Sequence, residues 1–136
     1  MGQGFEKNEQ MKLILDTSIL IDYLRNGSKG EKFFEDKTPQ QQFFLPTIVI
    51  FELFSGQSTQ SQETINKIKK FIRYFPRIDL TETIARRAGE IYRDVSHALD
   101  VPDYIIAASA LEIDAEVVTL NKKHFEKIPR ISLYPL

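Results

Sequence analysis

The sequence predicts an α/β fold, a three-layer arrangement in which a central parallel sheet is flanked by helices on both faces. Short apolar runs with strand character alternate with helical segments along the whole chain, the pattern of parallel strands joined by helical crossovers. No internal repeat or low-complexity tract interrupts that alternation, and the polar stretch QSTQSQ at 57–62 is too short to separate domains. A length of 136 residues suits one domain with a single substantial core.

Residues 12–16, KLILD, form an apolar run closing on an acid, as expected of a buried strand. Thr17 or Ser18 is placed to cap the helix ILIDYLRN, which Gly27 stops. A second helical stretch, EKFFEDK, precedes Pro39, and QFFL before Pro46 reads as the next strand. Thr47 offers a cap for IVIFELFSG. Its β-branched residues weigh against a helix, but the cap, the length and Gly56 as terminator favour one. In ETINKIKKFIRYF, Ile65, Ile68, Phe71, Ile72 and Phe75 fall on one helical stripe. RIDL is a short strand. Thr81 caps a helix that points Ile84, Ala88, Ile91 and Val95 inward, and Pro102 stands where helices begin, leading into DYIIAASALEI. EVVTL and ISLY supply the last two strands.

Hydrophobic residues make up 42% of the chain and charged residues 27%, an ordinary globular composition. The absence of cysteine excludes disulfides, thiolate zinc sites and cysteine nucleophiles. With only two histidines, His97 and His124, a histidine-rich metal site within one chain is excluded too. Eighteen basic and 19 acidic residues leave a formal net charge of −1. A polyanionic partner is therefore not held by bulk charge; it has to be gripped locally, with a cation screening repulsion. No segment approaches the roughly 18–20 apolar residues of a membrane span. Residues 1–10, MGQGFEKNEQ, lack the apolar stretch of a signal peptide and read as a tail or an expression remnant, with Met11 as an alternative start. That leaves 11–136 as a single domain and the cytoplasm as its expected location.

Three acids stand out by position. Asp16 closes the first strand, and ligands of open α/β sheets bind beyond the carboxyl ends of the strands; its other reading is a cap for the following helix. Glu52 is the only charged residue between Pro46 and Gly56. A helix that apolar is expected to be covered on most sides, and a lone buried carboxylate costs several kcal/mol unless it is paired or bound to metal. A buried arginine pair or a narrow solvated edge are its alternatives. Asp103 opens an apolar helix, where the unsatisfied amides and dipole stabilise a carboxylate whether or not it has another task. Each acid taken singly has a structural explanation. Together they are spread across the chain as an assembled site requires. Carboxylates brought together resist ionising together, and a hard divalent ion such as Mg²⁺, which needs only a few carboxylates plus substrate phosphate, resolves the conflict. Such an ion also assists in-line displacement at phosphorus.

These residues resemble a known family. Asp16-Thr17-Ser18 after an apolar strand, Glu52-Leu53-Phe54-Ser55-Gly56 in a helix, Asp103-Tyr104-Ile105-Ile106-Ala107-Ala108 opening a later one, and Thr119-Leu120-Asn121 followed by Phe125 resemble the PIN domain, and more narrowly the VapC toxins of prokaryotic toxin–antitoxin pairs. The similarity runs from Met11 onward. It implies a PIN-like fold, Mg²⁺- or Mn²⁺-dependent endoribonuclease activity leaving a 5′-phosphate and a 3′-hydroxyl, a homodimer, and a cognate antitoxin that wraps around it. By position, Asp16, Glu52 and Asp103 are then the catalytic, metal-binding acids, with Ser18, Thr119 and Asn121 lining the same cleft. One position departs. Many relatives carry a further acid just before the phenylalanine that is Phe125 here, and this chain has His124. An imidazole does not replace a carboxylate as a hard-metal anchor, so one metal is expected to be retained and a second to bind weakly. Asp100, Asp22 or Glu126 are candidates to compensate, and His124 either touches phosphate or lies on the surface.

Lys122 and Lys123 are placed to meet an RNA backbone, or form a solvated loop pair. The basic residues Lys67, Lys69, Lys70 and Arg73, like Arg86, Arg87 and Arg93, read as solvated helix faces. Phe51, Phe54, Phe71, Tyr74 and Phe75 supply aromatic surface for a core, an antitoxin groove or a dimer seam. Two other chemistries fit less well. A phosphoacceptor receiver wants an acid pair where Leu15-Asp16 supplies one acid, and an aspartyl phosphatase wants an acid where Ser18 stands. The remaining alternatives are a catalytically weakened PIN-like module that binds RNA or a partner, favoured by His124, and an RNA-processing nuclease without an antitoxin.

Overall fold

Leu13, Ile14 and Leu15 are completely buried because their strand lies mid-sheet with helices over both faces. In the computed structural model, which describes residues 10–95 and 97–136, this strand, β1 (Met11–Leu15), pairs in parallel with β2 (Gln41–Pro46) on one side and β4 (Glu116–Val118) on the other. Leu13 stands opposite Phe43 in one ladder and Glu116 in the other. The two-residue strands β3 (Arg77–Ile78) and β5 (Ser132–Leu133) complete a parallel sheet of order β3-β2-β1-β4-β5. Apart from Gln10, the expected tail at 1–10 lies outside the described residues.

Helices α1 (Thr17–Leu24) and α2 (Ser28–Glu35) link β1 to β2. Helices α3 (Thr47–Phe54) and α4 (Gln62–Ile72), with a 3₁₀ turn at Gln57–Gln60 between them, lead to β3. Helices α5 (Glu82–Asp94) and α6 (Val101–Ile113) carry the chain back across the sheet to β4, and the short α7 (Lys122–Phe125) precedes β5. The chain steps outward from β1 to β3 and then returns beyond β1 to β4 and β5. Right-handed crossovers place helices of the two runs on opposite faces, which produces the three layers. The direction of stepping reverses between β1 and β4, where such sheets open a crevice at their carboxyl ends.

The expected elements all form, with local differences at their ends. Ser61 and Thr81 cap α4 and α5 by accepting from the N–H groups of Thr64 and Ile84. Thr17 and Thr47 do not cap their helices. The N-cap positions of α1 and α3 belong to Asp16 and Pro46, neither with a side-chain cap bond. Gly27 is not the left-handed stop of α1. Asn26 adopts that conformation, at φ 62°, while Gly27 opens α2, where the Asp22 carboxylate accepts from the Gly30 N–H at 2.7 Å. Gly56 likewise keeps an ordinary negative φ. Helix α2 begins earlier than EKFFEDK, because Asp22 supplies an N-terminal partner from outside the segment. In α5, Ile84, Ala88 and Ile91 are buried, but Val95 lies past the helix end and is exposed. Tyr104 through Ala110 of α6 are buried without interruption, as the unbroken apolar run requires.

Candidate active site

The last turn of β1 and the first turn of α1 place three polar side chains at the reversal point. Asp16 is 3% exposed and its backbone N–H bonds the Val118 carbonyl of β4 at 3.0 Å, so the carboxyl end of β1 is tied to that of β4. Its Oδ2 accepts from the Ser18 and Thr119 hydroxyls, both at 2.7 Å. Those hydroxyls are themselves fixed: Ser18 Oγ accepts from the Leu120 N–H and Thr119 Oγ1 from the Asn121 N–H, each at 2.9 Å. The carboxylate is thus held by two strand ends through side chains, and the capping role is not what holds it. Its Oδ1 accepts no hydrogen bond among the described residues, which leaves it available to a ligand in the crevice.

Glu52 reaches the same place from the last turn of α3. Thr17 Oγ1 donates to its Oε1 at 2.5 Å. The expected covering of α3 on most sides is not found. Only Val49 and Leu53 are fully buried, Phe51 is 64% exposed, and Glu52 itself is half-buried. Glu52 therefore stands on an edge of the helix that faces the crevice. Burial pushes its pKa upward, the Thr17 hydroxyl opposes that, and Asp16, Asp103 and Asp100 add like-charge repulsion.

Asp103 lies in the first turn of α6 and Asp100 at its N-cap, again without a side-chain cap bond. Burial, Asp16 and Asp100 raise the Asp103 pKa, while His124 lowers it. The imidazole of His124, half-exposed, places Nδ1 at 3.3 Å from Asp103 Oδ2. His124 is thus neither a free surface residue nor a stand-in anchor; it occupies the acid's neighbourhood as a polar partner. Of the three acids named as possible compensators, Asp100 is the one within electrostatic reach of both Glu52 and Asp103. Asp22 is committed to α2, and Glu126 lies exposed beyond α7.

The donor set suits a hard cation. Among the described residues no lysine or arginine pairs with Asp16, Glu52, Asp100 or Asp103, so the mutual repulsion that raises Glu52 and Asp103 has no fixed basic counter-charge. Among the described residues, no three histidine, aspartate or glutamate side chains stand close enough together to hold a metal ion between them. Mg²⁺ does not require such a cluster, since it keeps several waters and takes one or two carboxylates plus phosphate. Among the remaining named residues, Thr119 is buried, Asn121 and Lys123 are exposed, and Lys122 is half-buried. Lys122 and Lys123 stand on α7, which Phe125, completely buried, anchors to the core. Sequence reasoning missed Thr17 as a site residue; a hydroxyl directly after the strand-closing acid is the available signal, and its position equally suits a helix cap.

Comparison with known proteins identifies the family. The PIN domain family matches residues 13–131. Ribonuclease VapC19 of Mycobacterium tuberculosis is 31% identical over 123 residues, covering 88% of this chain and 95% of that protein. Ribonuclease VapC1 of Methanocaldococcus jannaschii is 29% identical over 130 residues, covering 93% and 88%. Among solved structures, DNA-bound VapBC from Salmonella typhimurium superposes with a TM-score of 0.80 at 24% identity, covering 92% of this chain and 98% of that one. A toxin–antitoxin complex from Klebsiella pneumoniae superposes with a TM-score of 0.73 at 26% identity, covering 91% and 99%.

Proposed function

Because the chain belongs to the PIN-domain family, we propose that it is a metal-dependent endoribonuclease of the VapC type, the toxin of a toxin–antitoxin pair. The observation that carries this reading is the Asp16 carboxylate, buried at the sheet's reversal point and held on one oxygen by Ser18 and Thr119. Glu52 and Asp103 are within electrostatic reach of it, and among the described residues no lysine or arginine is paired with any of the three. Asp16, Glu52 and Asp103 would hold Mg²⁺ or Mn²⁺. The ion, when bound, supplies charge stabilisation at the phosphoryl oxygens and makes water a better nucleophile near neutral pH. The chain's own residues do the rest. Ser18 and Thr119 fix one oxygen of Asp16, Thr17 orients Glu52, and Asn121, Lys122 and Lys123 lie where the phosphate backbone of the substrate would pass.

The partners follow from two exposed apolar regions. A groove between α1, α2 and α4, lined by Tyr23, Phe34, Phe71, Tyr74 and Phe75 together with Glu31, Glu35 and Lys37, would suit an amphipathic antitoxin helix; Tyr74 is 85% exposed. Phe51 of α3 and Val101 of α6, at 64% and 67% exposure, would meet a second copy in a homodimer. No helix among the described residues is long and apolar enough to cross a membrane, and the proposed substrate places the protein in the cytoplasm.

The test is incubation with total cellular RNA. Wild-type protein should cleave it with Mg²⁺ and stop when EDTA is added, while Asp16→Asn and Asp103→Asn, folded by circular dichroism, should not cleave. Equal cleavage by the variants would overturn the site assignment, and no Mg²⁺-dependent cleavage by wild type would overturn the enzyme.

A further inference from the structure

A second opening, about 690 Å³ in volume, adjoins the acidic crevice on its β5 side. Its inner end is formed by Thr119, Asn121 and His124, so it is continuous with the site just described. Its walls are two short helices. Lys29 and Lys32 come from α2 on one side, and Lys122 and Lys123 from α7 on the other. Part of the lining is apolar: Leu120, Pro135 and Leu136, with Phe33 and Tyr134, whose rings meet edge to face with centroids 5.4 Å apart. Asp36 and Glu126 are the acidic side chains in the lining. Asp36 is spent on an exposed pair with Lys32 at 3.1 Å, which is worth little. Lys29, Lys122 and Lys123 make no ion pair among the described residues.

In a chain of net charge −1, four lysines share one groove with an apolar part of its lining, and Thr119 and His124 link that groove to Asp16 and Asp103. The crevice repels phosphate until a cation enters it. Four lysines against Asp36 and Glu126 leave the groove with a surplus of positive side-chain charge. We propose that this groove holds the single-stranded RNA flanking the scissile phosphate, with Lys29, Lys32, Lys122 and Lys123 contacting backbone phosphates, and a base resting on the apolar lining at Leu120 and Tyr134. This pairing of a basic track with an apolar or aromatic platform is how sequence-tolerant single-strand sites work. The proposal rests on the ribonuclease reading and adds to it a strand path, with α2 as one of its walls.

The test measures binding without cleavage. A fluorescein-labelled 12-nucleotide oligouridylate is titrated with wild-type protein in EDTA over a series of salt concentrations, and compared with Lys29→Glu/Lys32→Glu. Both side chains are exposed, and thermal melting checks the fold; Lys29→Gln/Lys32→Gln serves if charge reversal impairs it. Loss of two phosphate contacts should lower the salt slope of log Kd by about 1.4, at about 0.7 per contact, and weaken binding roughly tenfold or more at 50 mM salt. Mn²⁺ binding, followed by calorimetry, should stay within about twofold of wild type. An unchanged slope in a protein that still cleaves RNA overturns the groove alone. If wild type neither binds the oligonucleotide nor cleaves with Mg²⁺, both readings fall. If oligoglutamate binds as tightly as RNA with the same lysine dependence, the groove is an acidic-peptide site and the RNA assignment is wrong.

Discussion

The Thr17 hydroxyl donates a 2.5 Å hydrogen bond to Glu52, 35 residues away, joining the first turn of α1 to the last turn of α3. This bond favours the ionised form of Glu52, against burial and the repulsion of Asp16, Asp103 and Asp100. Metal-free protein therefore carries an electrostatic penalty at neutral pH. Glu52→Gln keeps an acceptor for Thr17 and removes the charge. Its metal-free form should melt about 2 °C higher than wild type by calorimetry at pH 7, a small gain because half-exposed carboxylates are screened. In saturating Mn²⁺ the order should reverse, since the variant gains less from the ion. A Glu52→Gln protein less stable than wild type without metal would mean that the carboxylate is chiefly structural.

Metal binding should also depend on pH. The folded-state pKa values of Glu52 and Asp103 are both raised, so each stays protonated to higher pH than an ordinary carboxylate. The stability they contribute is present below the unfolded value near 4 and is lost as pH rises through the folded value. Because the ion binds the ionised form, its affinity should climb over the same interval and binding should release protons. Calorimetry at pH 5 and pH 7 in buffers of different ionisation enthalpy measures both. Equal affinity at the two pH values with no proton release would contradict the shifts.

Ser18 and Thr119 both donate to Asp16 Oδ2, so on the proposed reading they are positioning residues. Ser18→Ala and Thr119→Val should each weaken Mn²⁺ binding by about 10- to 100-fold and leave the circular dichroism spectrum unchanged. Thr119→Ser, which restores the hydroxyl, should recover most of the loss. A Thr119→Val protein that binds Mn²⁺ normally would show that Asp16 needs no such support.

His124 stands 3.3 Å from Asp103. His124→Asp replaces a polar partner with a fifth carboxylate near Asp16, Glu52, Asp100 and Asp103. Calorimetric titration with Mn²⁺ should give one strong site in wild type and a second, weaker site in the variant. Two comparable sites already present in wild type would show that Asp100 compensates fully.

Away from the site, a Cβ at Gly27 would collide with the Asp22 carboxylate, which accepts from the Gly30 N–H. Gly27→Ala should release that bond and cost about 0.5–2 kcal/mol, the range for loss of a helix cap. The cost should largely vanish in an Asp22→Ala background, a coupling that a double-mutant cycle in urea measures. Additive costs would place the strain elsewhere.

The elements most legible in the chain were those set by local pattern. The unbroken run of Leu13, Ile14 and Leu15 marks a strand covered on both faces, the Ile68 and Ile72 stripe marks a helix with one buried side, and Thr81 caps α5 as its position implies. The candidate acids were legible because each is charged beside strongly apolar sequence. Helix ends were less so. Thr17 and Thr47 have the right side chains in the right neighbourhood, but hydroxyls at the first helical position are free to serve distant acceptors, and Thr17 does. The covering of α3 was misjudged for a related reason: apolar composition reports what a helix is able to bury, and Phe51 remains exposed because no described element packs over it.

Periodicity, composition and the order of four short motifs determined by themselves the class of fold, the family and the residue types available for chemistry, since these follow from local sterics and from which side chains exist. Only the tertiary structure decided what those side chains meet. It set Ser18 and Thr119 on one oxygen of Asp16, Thr17 on Glu52 and His124 against Asp103, and it brought the lysines of α2 and α7 to one groove. Apart from Ser18 and Asp16, two residues apart, those pairings join residues far apart along the chain, and their geometry depends on strand register and helix packing, quantities that no window of neighbouring residues contains.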